Sequence, residues 1–245
     1  MWNDNGFNEE SNHDSVWGSV GELHEAFATC MANVFFRMFA ALMVTTISAL
    51  LVVASAELQY LVYGNNVVFY VLLFSPIALV LAISFGINKM PVMLANVLFF
   101  VYAFLVGLTL STIFFVYDLG IIATAFGVTA VTFGVMAGYG LVTKNDLTSI
   151  GSLCIMGLIG IIIASIANFF IRSSAIEWAV TYIGVFVFIG LTAYDAQRIK
   201  NMLKEAKAAN QEEAIKKITV IGALTLYLDF INLFLKILRI LGRRR

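Results

Sequence analysis

The sequence predicts an all-α polytopic membrane protein with seven transmembrane helices. Three observations carry that prediction. Of the 245 residues, 61% are hydrophobic and only 12% are charged, whereas soluble domains run at about 45–50% apolar and about 25% charged. The apolar residues gather into runs at 32–54, 66–87, 93–116, 121–142, 150–171, 178–197 and 218–238, each near the roughly 20 residues that a helix needs to cross a bilayer. The runs are continuously apolar instead of alternating, which excludes a β-barrel.

The first 31 residues are polar and acidic, with Asp4, Glu9, Glu10, Asp14, Glu22 and Glu25, and no Lys or Arg precedes Arg37. A tail over 1–31 that is disordered at its start is expected, with an amphipathic surface helix over 16–31. It lacks the basic region of a cleavable signal peptide. His13 and His24 are too isolated to suggest a metal site. Spans one to six follow with short connections, which makes sequential spans antiparallel neighbours. Pro76 falls inside the second span, where it frees a backbone carbonyl. In the fourth, Gly134 and Gly138 have the small-xxx-small spacing of helix packing within a bundle. Cys30 and Cys154 show no metal spacing and no reason to pair. Tyr63, Tyr117, Tyr139 and Trp178 lie near span ends, as interfacial anchors do. The charged stretch 198–217 reads as a continuation of the sixth helix. The seven spans form one domain, 32–241, and a basic tail, 242–245, ends in Arg243-Arg244-Arg245.

Basic residues set orientation. The side of the N-terminus holds Arg37, Lys89, Lys144, Arg198, Lys200, Lys204, Lys207, Lys216 and Lys217, and the other side, apart from the tail, holds only Arg172. A cytoplasmic N-terminus is expected. The basic tail conflicts with that rule if the last segment crosses fully, and a re-entrant segment is the alternative. Crossing is the favoured expectation. The zero net charge leaves no general basic surface for nucleic acid.

Two acids sit inside apolar runs: Asp195 at the end of the sixth and Asp229 within the seventh, while every other acid falls in the tail or a connection. A carboxylate in hydrocarbon must be paired, hydrated or protonated, so it marks a candidate functional site. The two are symmetric about residue 212, in the polar stretch Asn210-Gln211-Glu212-Glu213. A helix, turn and antiparallel helix there would bring them to one depth. Asp195 could instead pair with Arg198 at i+3. Asp229 lies too far from Lys217 or Lys236 to pair with either, and Thr225 and Asn232 share its face as hydrogen-bond partners or packing residues. Two carboxyls at one depth cannot both ionise in a dry site, so they share a proton and titrate as a unit. Deprotonated, they would attract a hard divalent cation such as calcium. Asp195 and Asp229 are therefore candidates for a proton sensor, a gate and a weak calcium site.

The stretches LYLDFINLF, GLTAYDAQRIK, VGLTLSTIF, GYGLVTKNDLTSIGS and WAVTYIGVFVFIGLTAYD resemble the transmembrane Bax inhibitor motif family, in its bacterial inner-membrane branch. The resemblance implies a multi-pass inner-membrane protein whose last helix is central and surrounded by three helical hairpins. It also implies a pH-sensitive calcium leak with a di-aspartyl sensor, carried over onto Asp195 and Asp229. Members with a latch have an arginine near the second-to-third connection. Here that region reads SFGINKMPV, so Lys89 is the latch candidate, and lysine lacks the bidentate fork of arginine.

The leading expectation is thus a proton-gated calcium leak, with calcium as cargo and no cofactor. The alternative is a non-transporting regulator that restrains a membrane partner such as a protease or a stress or cell-death factor. An enzyme is not expected, because HExxH, GxSxG and GxGD motifs are absent. The bilayer is the expected environment, and a monomer the expected state.

Overall fold

The computed structural model describes residues 7–242, with side chains from Phe27 onward. Nine helices are present among them: α1 (Phe7–Ala54), α2 (Ala56–Tyr63), α3 (Asn66–Gly86), α4 (Val92–Leu110), α5 (Ile113–Val116), α6 (Leu119–Val142), α7 (Thr148–Ile171), α8 (Ser174–Ala208) and α9 (Glu212–Leu241). Seven stretches are long and apolar enough to cross a membrane, with the short α5 completing the third span. The protein is an all-α polytopic membrane protein.

The ends of the helices follow local chemistry. The side chains of Ser55 and Asn65 accept from backbone N–H groups to cap α2 and α3. Pro76 stands inside α3 without ending it. It deprives the Leu72 carbonyl of its helical donor, and the Ser75 hydroxyl donates to that carbonyl at 3.4 Å. The sixth span continues without a break to Ala208, as the charged continuation predicted. Asn210 then takes a left-handed conformation, φ 53°, and reverses the chain. At the N-terminus, α1 is continuous from Phe7 through the first span, so a helix runs across 16–31 and leads into that span. His13, His24 and the acids up to Glu25 lie outside the residues whose side chains are described, as do the start of the tail and Arg243-Arg244-Arg245.

The last helix is central. In its most apolar window 61% of residues are buried against protein, compared with 11–39% in the other spans. It packs on α1, α4, α6 and α8, while α7 packs on α8 and α3 on α4. Sequential spans are neighbours in α3–α4, α7–α8 and α8–α9. The expectation fails for α1–α3 and α4–α6, where the short helices α2 and α5 sit between the spans, and for α6–α7, which both pack on α8 instead. Phe36, Phe85, Met93, Phe169, Phe170 and Phe186 point outward, the normal state of a surface that faces lipid.

α9 crosses fully. Its 30 residues span about 45 Å at 1.5 Å each, more than the roughly 30 Å hydrocarbon core. Lys217 near its start donates to the Asn88 carbonyl in the α3–α4 turn, while Arg239 in its last turn pairs with Glu177 in the first turn of α8. Those partners mark opposite ends of the bundle, the arrangement that a full crossing expects.

Glycines mark the tight crossings, though not where the spacing pointed. A Cβ at Gly107 would fall on Ser48 Oγ and the Thr45 carbonyl, and one at Gly140 would lie 2.1 Å from the Ala193 carbonyl oxygen. Gly134 and Gly138 meet nothing within 4 Å. Their small-xxx-small spacing turns toward the lipid side, so it does not pack this bundle.

Candidate functional site: the aspartate pair

The site is assembled by the α8–α9 hairpin and held by the α6–α7 connection. α8 approaches α6 closely at Gly140 and lies against α7 where Gly190 faces Cys154. Just past Asp195, Gln197 fixes the α6–α7 turn from both ends. Its Nε2 donates to the Asn145 carbonyl at 2.8 Å, and its Oε1 accepts from Leu147 N at 2.9 Å. Lys200 Nζ donates to the Leu141 carbonyl at 2.7 Å, closing the C-terminal end of α6. On the other side, Gly222 lets α9 lie against the Ile199 side chain. The backbone on both sides of Asp195 is therefore fixed before its carboxyl group is considered.

Asp195 and Asp229 come together. Their carboxyl groups are hydrogen-bonding neighbours, and they are 8% and 4% exposed. Such a contact needs a proton on one of the two. The symmetry point at 212 lies just beyond the turn, which is centred on Asn210. Asp229 Oδ2 is buried with no hydrogen-bond partner among the described residues. A bare acceptor in that position is costly, so it marks where a proton, a water or a cation would act.

A cavity of about 800 Å³ leads to the pair from the face of the α8–α9 turn, lined by Asp195, Arg198, Glu213, Lys217, Asn88 and Thr225 among others. Asp195 lines it and Asp229 does not. Asp195 is thus the group that meets the cavity, and Asp229 lies behind it. Beyond Asp229 the helix is packed with Phe230, Leu233 and Phe234, and Phe126 and Phe133 stack edge-on to Phe230. Seven residues further along, Lys236 enters a second cavity on the opposite face. That places about 10 Å of packed helix between the pair and the far vestibule.

The family profile described as Inhibitor of apoptosis-promoting Bax1 matches residues 28–245. The chain belongs to this Bax inhibitor family. It is 45% identical to the Inner membrane protein YbhL of Escherichia coli K12, over 93% of this chain and 97% of that one. It is 42% identical to an uncharacterised protein of Borreliella burgdorferi (88% and 92% covered) and 39% identical to one of Rickettsia prowazekii (90% and 92% covered). A multi-pass inner-membrane protein follows from the seven apolar helices and the inner-membrane relative.

The other sequence candidates divide. Arg198 lies close enough to act on Asp195 through its charge, but the ion pairs of the described residues do not include it. Thr225 lines the cavity. Asn232 Nδ2 donates to the Leu228 carbonyl of its own helix at 2.8 Å, and Asp229 Oδ2 receives no bond from it. Lys89 is exposed on the α3–α4 turn and does not line the cavity. Lys217, not Lys89, ties that turn to α9, by donating to the Asn88 carbonyl. Lys89→Ala is accordingly expected to leave ion flux and its pH midpoint unchanged, measured in proteoliposomes; a shifted midpoint would restore it as a latch.

Sequence reading missed Gln197, Lys200 and the Tyr227 network. Tyr227 is fully buried, bonded to Thr45 Oγ1 at 2.7 Å and packed edge-on against Phe99 and Tyr102. The signal for Gln197 and Lys200 was present, since both follow Asp195 on α8 in AYDAQRIK. Their partners are backbone atoms of another connection, which no spacing reveals.

Proposed function

We propose that this chain is a pH-sensitive calcium leak of the inner membrane, gated by the proton that Asp195 and Asp229 share. The observation that carries the reading is the carboxyl–carboxyl contact at the inner end of an open cavity. With the proton, the contact ties α8 to α9. Without it, two negative charges face each other in a low-dielectric site, and they either separate or collect a divalent cation. The charged and titratable groups around them are Arg198 on α8, Lys217, Glu212 and Glu213 on α9, and Cys154 on α7. Calcium takes about six to eight oxygen ligands. No group of three or more His, Cys, Asp or Glu stands together among the described residues, so water must complete the shell. That suits a passing ion better than a resident one. The protein is read as non-catalytic. Calcium flux into proteoliposomes of the purified protein, followed against pH, tests the proposal; no flux above protein-free vesicles at any pH sinks it.

The same reading puts the N-terminus and the α8–α9 turn in the cytoplasm. The face of that turn carries Lys200, Lys204, Lys207, Lys216 and Lys217, in line with the bias of cytoplasmic loops. A reporter inserted within 204–213 is expected to read cytoplasmic, and a periplasmic signal reverses the orientation.

A second reading, a regulator that restrains a membrane partner without transport, is favoured by one observation. The far vestibule is cationic, lined by Arg172, Lys236 and Arg239 against Glu177 alone. A calcium ion leaving that way meets like charge. Absent flux would make this the leading reading.

A further inference from the structure

The far cavity, about 440 Å³ between α7, α8 and α9, has a charge balance that the calcium reading leaves unexplained. Arg239 is paired with Glu177. Arg172 and Lys236 have no ion-pair partner among the described residues. Lys236 lies within the apolar run of α9 and is half-buried, a position where a cation is ordinarily paired or aimed at a ligand path, and the exposed Arg172 lines the same cavity.

Both cations are placed by the fold. Lys236 lays its stem along Gly184, where a Cβ would come within 2.9 Å of its Cε. The bare glycine makes the slot. Arg172 holds the left-handed C-cap of α7, φ 54°. In the same turn Asn168 Oδ1 accepts from Ser173 N at 2.8 Å, which leaves the Asn168 amide free to donate. The first turn of α8 has no side-chain cap, so its N–H groups add positive potential at this end. Phe169 lines the cavity and is 75% exposed, so the cavity opens toward lipid. Trp178 stacks on Tyr182 one turn into α8, an aromatic pair of the kind found at headgroup level.

We propose that this cavity binds the phosphate of an anionic phospholipid headgroup, with Arg172 and Lys236 as its charged ligands and the Asn168 amide as a neutral donor. Guanidinium and ammonium groups bind phosphate oxygens through charge-assisted hydrogen bonds. Acyl chains would run down the lipid face past Phe169. A bound headgroup neutralises a vestibule that is otherwise cationic. The inference stands apart from transport, because it concerns the other end of the bundle.

Free phosphate offers the same chemistry, so the test separates the two sources. The full chain, purified in detergent, is melted with added phosphatidylglycerol, phosphatidylcholine or inorganic phosphate. Phosphatidylglycerol is expected to raise Tm above the other two, since a ligand that binds only the folded state stabilises it. Arg172→Gln and Lys236→Gln are each expected to remove about half or more of that shift, while Lys144→Gln, on the opposite face, keeps it. Native mass spectrometry supplies a readout independent of melting: the wild type retains phosphatidylglycerol and Lys236→Gln loses it. Equal shifts with phosphatidylcholine overturn charge recognition. An equal shift with inorganic phosphate overturns the lipid source. Full shifts and retained lipid in both variants overturn the site.

Discussion

Proteoliposomes carrying Asp229→Asn are expected to show calcium flux that no longer follows pH. Asparagine keeps the volume of the acid and supplies a fixed donor to Asp195, so the α8–α9 contact survives. What disappears is the proton. A gate controlled by one proton changes flux by at most about tenfold per pH unit, and that slope should flatten. Asp195→Asn should flatten it less completely, because Asp195 lies at the cavity wall beside Arg198. The double variant should be no worse than the stronger single one, since the two residues act on one shared proton. In the wild type, calcium and protons compete for the same oxygens, so raising calcium should move the midpoint to lower pH. Flux that tracks pH unchanged in both single variants would remove the gate from these residues.

The seven spans were legible because hydrocarbon imposes continuous apolar runs, and the helices extend the predicted runs by only a few residues at most ends. The aspartate pair was legible for a related reason. Carboxyls are so disfavoured in apolar runs that Asp195 and Asp229 stood out singly, and their symmetry about a polar turn gave the pairing. Lateral neighbours were not legible. In lipid, a face turned to another helix and a face turned to acyl chains are both apolar. Nothing in the sequence told Gly140, pressed on α8, from Gly134 on the same helix with open space. The cationic far vestibule was hidden too. Lys236 reads as part of the seventh run and Arg239 as the residue just past it, and only the fold shows that they reach the opposite face with Arg172. Lys89 misled because a basic residue in the right connection looks like a latch, while its exposure there depends on how the turn sits.

Gly140→Ala should destabilise the protein by about 1–3 kcal/mol, the usual range for overpacking. The added Cβ would lie 2.1 Å from the Ala193 carbonyl oxygen and 2.9 Å from its carbonyl carbon. Both are backbone atoms, so relief requires moving α8 and not a side chain. Ala193 stands two residues before Asp195 and four before Gln197, whose bonds to the α6–α7 turn fix that stretch. A shift of α8 therefore loosens the carboxyl contact as well as the packing. The expected result is a lowered Tm together with a displaced pH midpoint of flux. Gly134→Ala is the control. It makes the same change on α6, where nothing lies within 4 Å, and alanine is the better helix former by about 1 kcal/mol. Its stability should be unchanged or slightly raised, with the midpoint of the wild type. Equal effects in the two variants would show that α6 is sensitive to the loss of glycine as such. A normal midpoint in a destabilised Gly140→Ala protein would separate the α6–α8 crossing from the position of Asp195.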